Sequence, residues 1–157
     1  MRVGNGFDVH KFGNTKKLRL CGIDIDFDRG LIGHSDADVV LHALTDAILG
    51  ALGKGDIGTF FPPSDNQWKN ADSKIFLEFA HNAVNEVCLK ISNIDITIIC
   101  EHPKVIKYSM VMKKRLSKIL LIETSQINIK GTTTEKLGFT GREEGIACLC
   151  TVLLVQK

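Results

Sequence analysis

Apolar residues recur at two spacings along this chain. Val39, Val40, Ala43, Leu44, Ala47 and Ile48 follow a helical period, as do Ile75, Phe76, Phe79, Ala83, Val84 and Val87. They predict one helix from about Asp36 to Leu52 and a second from Asp72-Ser73-Lys74 to about Leu89. A third covers Tyr108 to Leu121. Ser35 stands where the first helix needs a cap, with Asp38 three residues on in a capping-box pattern, and Gly50 and Gly53-Lys54-Gly55 end that helix. Alternation marks the strands: Met1 to Val9, closing with Asp8-Val9-His10, then Ile94 to Cys100 and Ile127 to Lys130. Leu18–Cys21 and Ile23–Phe27 read as a hairpin between a Gly13–Thr15 loop and an Asp28–Gly30 turn. Ile146 to Val155 is apolar at both alternating sets of positions, which predicts a central strand. Strands interleaved with helices predict an α/β (α+β) domain, a mixed sheet with helices on one face.

One helix face breaks the usual pattern. Asp38, His42 and Asp46 recur every four residues and so share a side, with His34 at the helix mouth. Two glycines in the first strand, Gly4 and Gly6, predict the close approach of another backbone or group.

Composition narrows the classes. A chain of 157 residues with 44% hydrophobic and 24% charged residues fits one globular domain spanning 1–157. A net charge of +2 is too small to imply nucleic-acid binding, and the basic run Lys113-Lys114-Arg115 reads as a solvated helix face. Five cysteines without a C-x-x-C pair signal neither a disulfide framework nor a cysteine-type zinc site. Free thiols suit a reducing compartment. No stretch has the length of a signal peptide or a membrane span, so no membrane role is expected.

Four groups of residues carry candidate chemistry. Asp8, His10 and His42 are ligand types that zinc accepts, and three of them leave a coordination position open. Equally, Asp8 could be a strand-end acceptor and His42 a satisfied, partly buried histidine. Gly131-Thr132-Thr133-Thr134-Glu135-Lys136 follows a strand, and its hydroxyls and N–H groups could hold phosphate oxygens while Glu135 holds a hard cation. A plain threonine-rich turn fits the same pattern. Asp56-Ile57-Gly58 with the Pro62-Pro63 loop is either a pocket rim or a connection between helices. Phe139-Thr140-Gly141-Arg142-Glu143-Glu144-Gly145 is either an anion site through Arg142 or a hairpin turn.

Together these stretches form a specific pattern. Gly6-Phe7-Asp8-Val9-His10, then His34-Ser35-Asp36 with Asp38-Val39, Leu41-His42-Ala43-Leu44 and Asp46-Ala47, then Gly55-Asp56-Ile57-Gly58 with Phe61-Pro62, and the long block Thr132 to Ala147 occur in this order. From its first residues to its last strand the chain closely resembles the family of 2-C-methyl-D-erythritol 2,4-cyclodiphosphate synthases, of the non-mevalonate route to isoprenoids.

The resemblance implies a ferredoxin-like sandwich with a four-stranded mixed sheet and a small hairpin, assembled as a homotrimer with active sites between subunits. It implies a phosphorus–oxygen lyase that converts 4-diphosphocytidyl-2-C-methyl-D-erythritol 2-phosphate into the cyclic diphosphate and CMP. It assigns Zn²⁺ to Asp8, His10 and His42. A Mg²⁺ or Mn²⁺ ion falls to Glu135 together with substrate phosphates. His34 and Thr133 are implied as transition-state stabilisers. Ser35 meets phosphates at the helix mouth, while Asp56, Ile57, Gly58, Phe61 and Asp65 line the methylerythritol pocket. Cys100, Pro103, Lys104, Thr132 and Thr134 surround the cytidine and its phosphates. Phe139 and Arg142 lie near a trimer-axis cavity that could take an isoprenoid diphosphate. The expected location is the bacterial cytoplasm, or a plastid-type organelle after loss of a transit peptide.

Phosphoryl transfer asks for positioning and charge stabilisation, which agrees with the absence of an obvious Ser, Cys or Lys nucleophile. Three departures from the family pattern stand out: Asn5 for a common His, Ala37 for a common Gly, and Pro63-Ser64-Asp65 for Asp-Thr-Asp. The competing readings are a nonenzymatic trimeric binding module that keeps its metal for structure, and a zinc hydrolase.

Overall fold

The structure is a computed structural model that describes residues 1–14 and 17–157; Thr15, at the end of the expected Gly13–Thr15 loop, lies outside the described residues. Its central strand is the one with apolar residues at both sets of positions. β7 (Gly145–Gln156) pairs antiparallel with β1 (Arg2–Gly13) on one side and with β5 (Leu89–Ile99) on the other. A parallel strand, β6 (Ile127–Thr132), extends the sheet beyond β5, and the short β4 (Gly30–Ile32) adds a fifth strand beside β1. β2 (Leu18–Leu20) and β3 (Ile23–Ile25) form the expected hairpin as a separate two-stranded sheet.

β1 runs past Val9 to Gly13 because Lys11, Phe12 and Gly13 find partners on β4. His10 is therefore held inside the sheet rather than at a frayed end. β4 has three residues, too few for alternation to reveal it.

The helices lie on one face. α1 (Val39–Leu52) packs on β1 and β7, α3 (Lys74–Glu86) against α1 and β5, and α4 (Ser109–Leu120) on β6. The two early glycines serve the first contact. A β-carbon on Gly6 would fall 1.9 Å from the Ala43 carbonyl oxygen, and one on Gly4 would fall 2.0 Å from that of Ala47. α1 is buried nearly all round, from Val39 to Leu52, and not only along one stripe. His42 and Asp46 are its partly open positions.

α1 begins three residues later than expected. Ala37 takes a left-handed conformation, φ 58°, which a right-handed helix cannot include. The cap is thus Asp38, whose carboxylate accepts from Val40 N and Leu41 N, and not Ser35. Gly53 ends the helix as expected, in the left-handed conformation at φ 70°. α3 stops at Glu86 rather than Leu89, because Cys88 turns the chain at φ 55° and Leu89 already pairs with Gln156. Two one-turn helices sit in expected loops, α2 (Ile57–Phe60) and α5 (Gly138–Gly141). Among the described residues no helix is long and apolar enough to cross a membrane.

Candidate metal centre and its flanking clefts

Alternation along β1 sends Asp8 and His10 to one side, where α1 brings His42 down to them. Asp8 Oδ2 stands 2.9 Å from His10 Nε2 and 3.1 Å from His42 Nδ1, and the two imidazole nitrogens are 3.0 Å apart. The far sides of both rings are held. His10 Nδ1 lies 2.9 Å from the Ile32 carbonyl, and His42 Nε2 lies 2.8 Å from Ser73 Oγ and 3.0 Å from Ser35 Oγ. A carbonyl only accepts, so His10 Nδ1 carries its proton and Nε2 turns a lone pair toward Asp8 and His42. Two imidazole nitrogens and a carboxylate oxygen converging in this way are held together by a shared proton or by a cation lying among them. Among the described residues this is the one group of His, Cys, Asp and Glu side chains that could hold a metal ion, its ligand atoms all within 4.8 Å of one another. Imidazole and carboxylate donors fit a zinc-type ion.

The electrostatics follow from this convergence. Burial alone would push the Asp8 carboxyl up, but the hydrogen bonds and charges of His10 and His42 outweigh it and hold it far below the usual carboxylate range. Burial works against a charged His10, yet the Asp8 carboxylate and the Ile32 carbonyl leave its pKa raised.

Asp38 and Asp46 do not support His42, although the sequence spacing places them beside it. Asp38 is fully buried as the α1 cap, and it also accepts from Cys21 N at 3.0 Å and Gly22 N at 2.6 Å, which ties the β2–β3 turn to the helix. Asp46 accepts from Ile57 N at 2.7 Å and so fastens the start of α2. The Asp38 carboxylate takes the Val40 and Leu41 N–H groups of the helix N-terminus.

The metal group opens into a cleft of about 290 Å³ lined by His34, Ser35, Ile57, Gly58, Phe61 and Pro63, together with Trp68 and Phe76. Asp56 and Asp65 are not part of this lining. Asp56 caps α2 through Thr59 N at 2.9 Å, and Asp65 caps the next turn through Gln67 N at 3.0 Å while its carbonyl lies 3.4 Å from His34 Nε2. A second cleft, of about 400 Å³, gathers Cys100, Pro103, Lys104, Thr132 and Thr133. Thr134 and Glu135 flank it. The Thr134 hydroxyl donates to the Leu137 carbonyl at 2.6 Å, and the Thr133 hydroxyl donates to Glu135 at 2.9 Å. Phe139 belongs to a third hollow with Val9, His10 and Lys11, and Arg142 is exposed and paired with Glu144 at 2.8 Å. Within one chain, then, the metal group and the Thr132–Glu135 loop face different clefts.

Sequence reading missed several residues that shape these sites. Trp68 and Phe76 complete the apolar wall of the first cleft. Ser73 reaches His42 across 31 residues of chain. The Glu101 carboxylate accepts from Thr134 N at 3.1 Å and Lys136 N at 3.3 Å, and so shapes the threonine loop. The helical period around Phe76 marked it as core. Nothing local marks Ser73 or Glu101.

Comparison with known proteins supplies a context. The model of the YgbB family matches residues 1–155. A 2-C-methyl-D-erythritol 2,4-cyclodiphosphate synthase from Cereibacter sphaeroides is 55% identical over 156 residues, which cover 99% of this chain and 98% of the relative. Among solved structures, the bifunctional IspDF from Campylobacter jejuni superposes with a TM-score of 0.95 at 46% identity, covering 99% of this chain and 42% of that one. IspF of Plasmodium falciparum, solved as a CDP complex, gives 0.88 at 38% identity and covers 99% and 96%.

Proposed function

The chain belongs to the YgbB family, and we propose on that premise that it converts 4-diphosphocytidyl-2-C-methyl-D-erythritol 2-phosphate into 2-C-methyl-D-erythritol 2,4-cyclodiphosphate and CMP. It would act as a phosphorus–oxygen lyase in the non-mevalonate route to isoprenoids. The observation that carries this reading is the convergence of Asp8, His10 and His42 on one point, in a chain alike over its whole length to a named synthase. In the reaction an oxygen of the 2-phosphate bonds to the β-phosphorus, the bond from that phosphorus to the bridging oxygen breaks, and CMP leaves with the oxygen. The attacking group is already an anion, so no strong base is required.

We assign Asp8, His10 and His42 to a zinc-type ion and Glu135 to Mg²⁺ or Mn²⁺. Bound there, the two cations would offset the charge that keeps two phosphates apart. His34 and Thr133 would stabilise the transition state, and Ser35 would meet a phosphate through its hydroxyl. Ile57, Gly58 and Phe61 would hold the methylerythritol, with Asp56 and Asp65 fixing the rim. Cys100, Pro103, Lys104, Thr132 and Thr134 would surround the cytidine and its phosphates; the CDP bound to the Plasmodium falciparum relative supports a cytidine nucleotide as ligand.

A homotrimer would bring the two clefts together, the first of one subunit against the second of its neighbour. The helix-free face of the sheet supports an assembly. Val3, Phe7, Val9 and Leu149 lie open on it, and Phe7 pairs with Leu149 across the strands. Phe139 and Arg142 would stand near the axis, where an isoprenoid diphosphate could bind; native mass spectrometry with farnesyl diphosphate tests that. A single domain over 1–157 and a bacterial cytoplasmic setting complete the proposal. Release of CMP together with the cyclic product, followed by phosphorus NMR, tests the function itself.

A further inference from the structure

We propose that Ser73 and Asp36 are positioning residues that fix the proton of His42 on Nε2, and so keep its Nδ1 lone pair turned toward Asp8 and His10. A chain of hydrogen bonds runs from Asp36 through Ser73 to His42. The Asp36 carboxylate accepts from Ser73 N at 3.2 Å and from Asp38 N at 3.3 Å, and the Ser73 hydroxyl also donates to it. Arg19 stands beside this carboxylate, 3.6 Å away, and reaches Asp72 at 3.2 Å. A carboxylate has no hydrogen to give, so the single hydroxyl hydrogen of Ser73 is spent on Asp36. Ser73 Oγ then has only lone pairs left for His42 Nε2, which lies 2.8 Å away. Nε2 must therefore carry a proton, and in the neutral ring that a metal ion requires Nδ1 is left bare, 3.1 Å from Asp8 Oδ2.

Two features make this a fixed arrangement. Ser73 is fully buried, so water does not compete for its hydroxyl. Its hydroxyl also makes no capping bond to α3, although Ser73 is the residue that precedes that helix. The side chain is committed to His42 and Asp36 instead. Ser35, whose hydroxyl lies 3.0 Å from the same Nε2 and 3.2 Å from Ser73, bonds to no carboxylate among the described residues and can serve either as donor or as acceptor. Ser35 alone would not select a tautomer. The residues that orient a metal-binding imidazole from behind typically change metal affinity 10- to 100-fold when removed.

The inference rests on the metal site of the proposed function, so zinc binding by the unaltered protein is measured first. Competition against a chromophoric chelator then gives the affinity of Ser73→Ala and Asp36→Asn, and long-range nitrogen–proton NMR of the metal-free proteins reports which His42 nitrogen is protonated. We expect zinc affinity to fall about 10- to 100-fold in both variants, with circular dichroism unchanged, and His42 to shift from one tautomer to a mixture. Ser73→Thr, which keeps the hydroxyl, should restore the single tautomer; where it does not fit the buried site, Asp36→Asn still decides the matter. Unchanged affinity and a single Nε2-protonated His42 in both variants would overturn the relay while leaving the metal site standing. An unaltered protein that bound no zinc would overturn both.

Discussion

Gly6 lies directly beneath Ala43, so close that a β-carbon on the glycine would sit 1.9 Å from the helical carbonyl oxygen. This contact sets the distance between β1 and α1, and therefore the distance from Asp8 and His10 to His42. Gly6→Ala should force the helix away from the sheet. We expect a loss of about 3 kcal/mol or more in denaturant unfolding, at the upper end of overpacking effects, with weaker zinc binding in whatever folds. An alanine variant of normal stability and zinc affinity would show that the contact is not what sets the site.

A metal that binds only the folded chain stabilises it by mass action. Zinc at about 100 times its dissociation constant should add about 2.7 kcal/mol, which for a domain of this size raises Tm by about 5–10 °C. Removal by a chelator should reverse the shift. In His10→Ala the shift should vanish, because two ligands remain of three.

Asp46 fastens α2 and does not touch His42. Asp46→Ala should cost about 1 kcal/mol for the lost hydrogen bond to Ile57 N and raise KM several-fold by loosening the Ile57–Gly58 rim. Zinc content should stay as in the unaltered protein. Loss of zinc would instead tie Asp46 to the metal.

Glu101 holds the backbone of the threonine loop at Thr134 and Lys136. In Glu101→Ala both amide protons should exchange with solvent about tenfold faster, corresponding to about 1.4 kcal/mol of local stability. Equal exchange rates would mean that the loop holds its shape by the Thr134 hydroxyl bonds alone.

Burial pushes the Cys100 thiol up to about 11, with Lys104 opposing and Glu101 reinforcing the shift. Only about one thiol in a thousand is then thiolate at pH 8, and the fraction rises about tenfold per pH unit up to that value. Iodoacetamide at pH 8 should label exposed Cys88 and leave Cys100 intact, with Cys100 labelling increasing as pH rises toward 11. Rapid modification of Cys100 at pH 8 would contradict a buried, protonated thiol.

Much of this molecule was legible before any coordinates. Strand alternation put Asp8 and His10 on one side, while it was the family resemblance that joined His42 to them, because helical periodicity does not say which strand a helix packs on. The glycines of β1 announced a close backbone, and the two-sided apolar pattern of β7 announced the centre of the sheet. The misreadings have physical causes. Ala37 turns into the left-handed region, which periodicity does not report, so Asp38 became a cap rather than a member of the helix face. Asp46 shares that face with His42, yet it turns to the nearest free N–H, that of Ile57. Ser73 meets His42 only through the packing of α3 on α1, a contact between distant parts of the chain that no local pattern encodes.

The central claim is cyclisation with release of CMP. Its most direct measurement incubates the protein with 4-diphosphocytidyl-2-C-methyl-D-erythritol 2-phosphate, Zn²⁺ and Mg²⁺, and follows the phosphorus NMR spectrum, with His42→Ala alongside. The account predicts that CMP and the cyclic diphosphate appear together in equal amounts, and that neither forms with the variant. CMP accompanied by an uncyclised bisphosphate would indicate a hydrolase, and an unchanged substrate would indicate a binding module; either result would contradict the account.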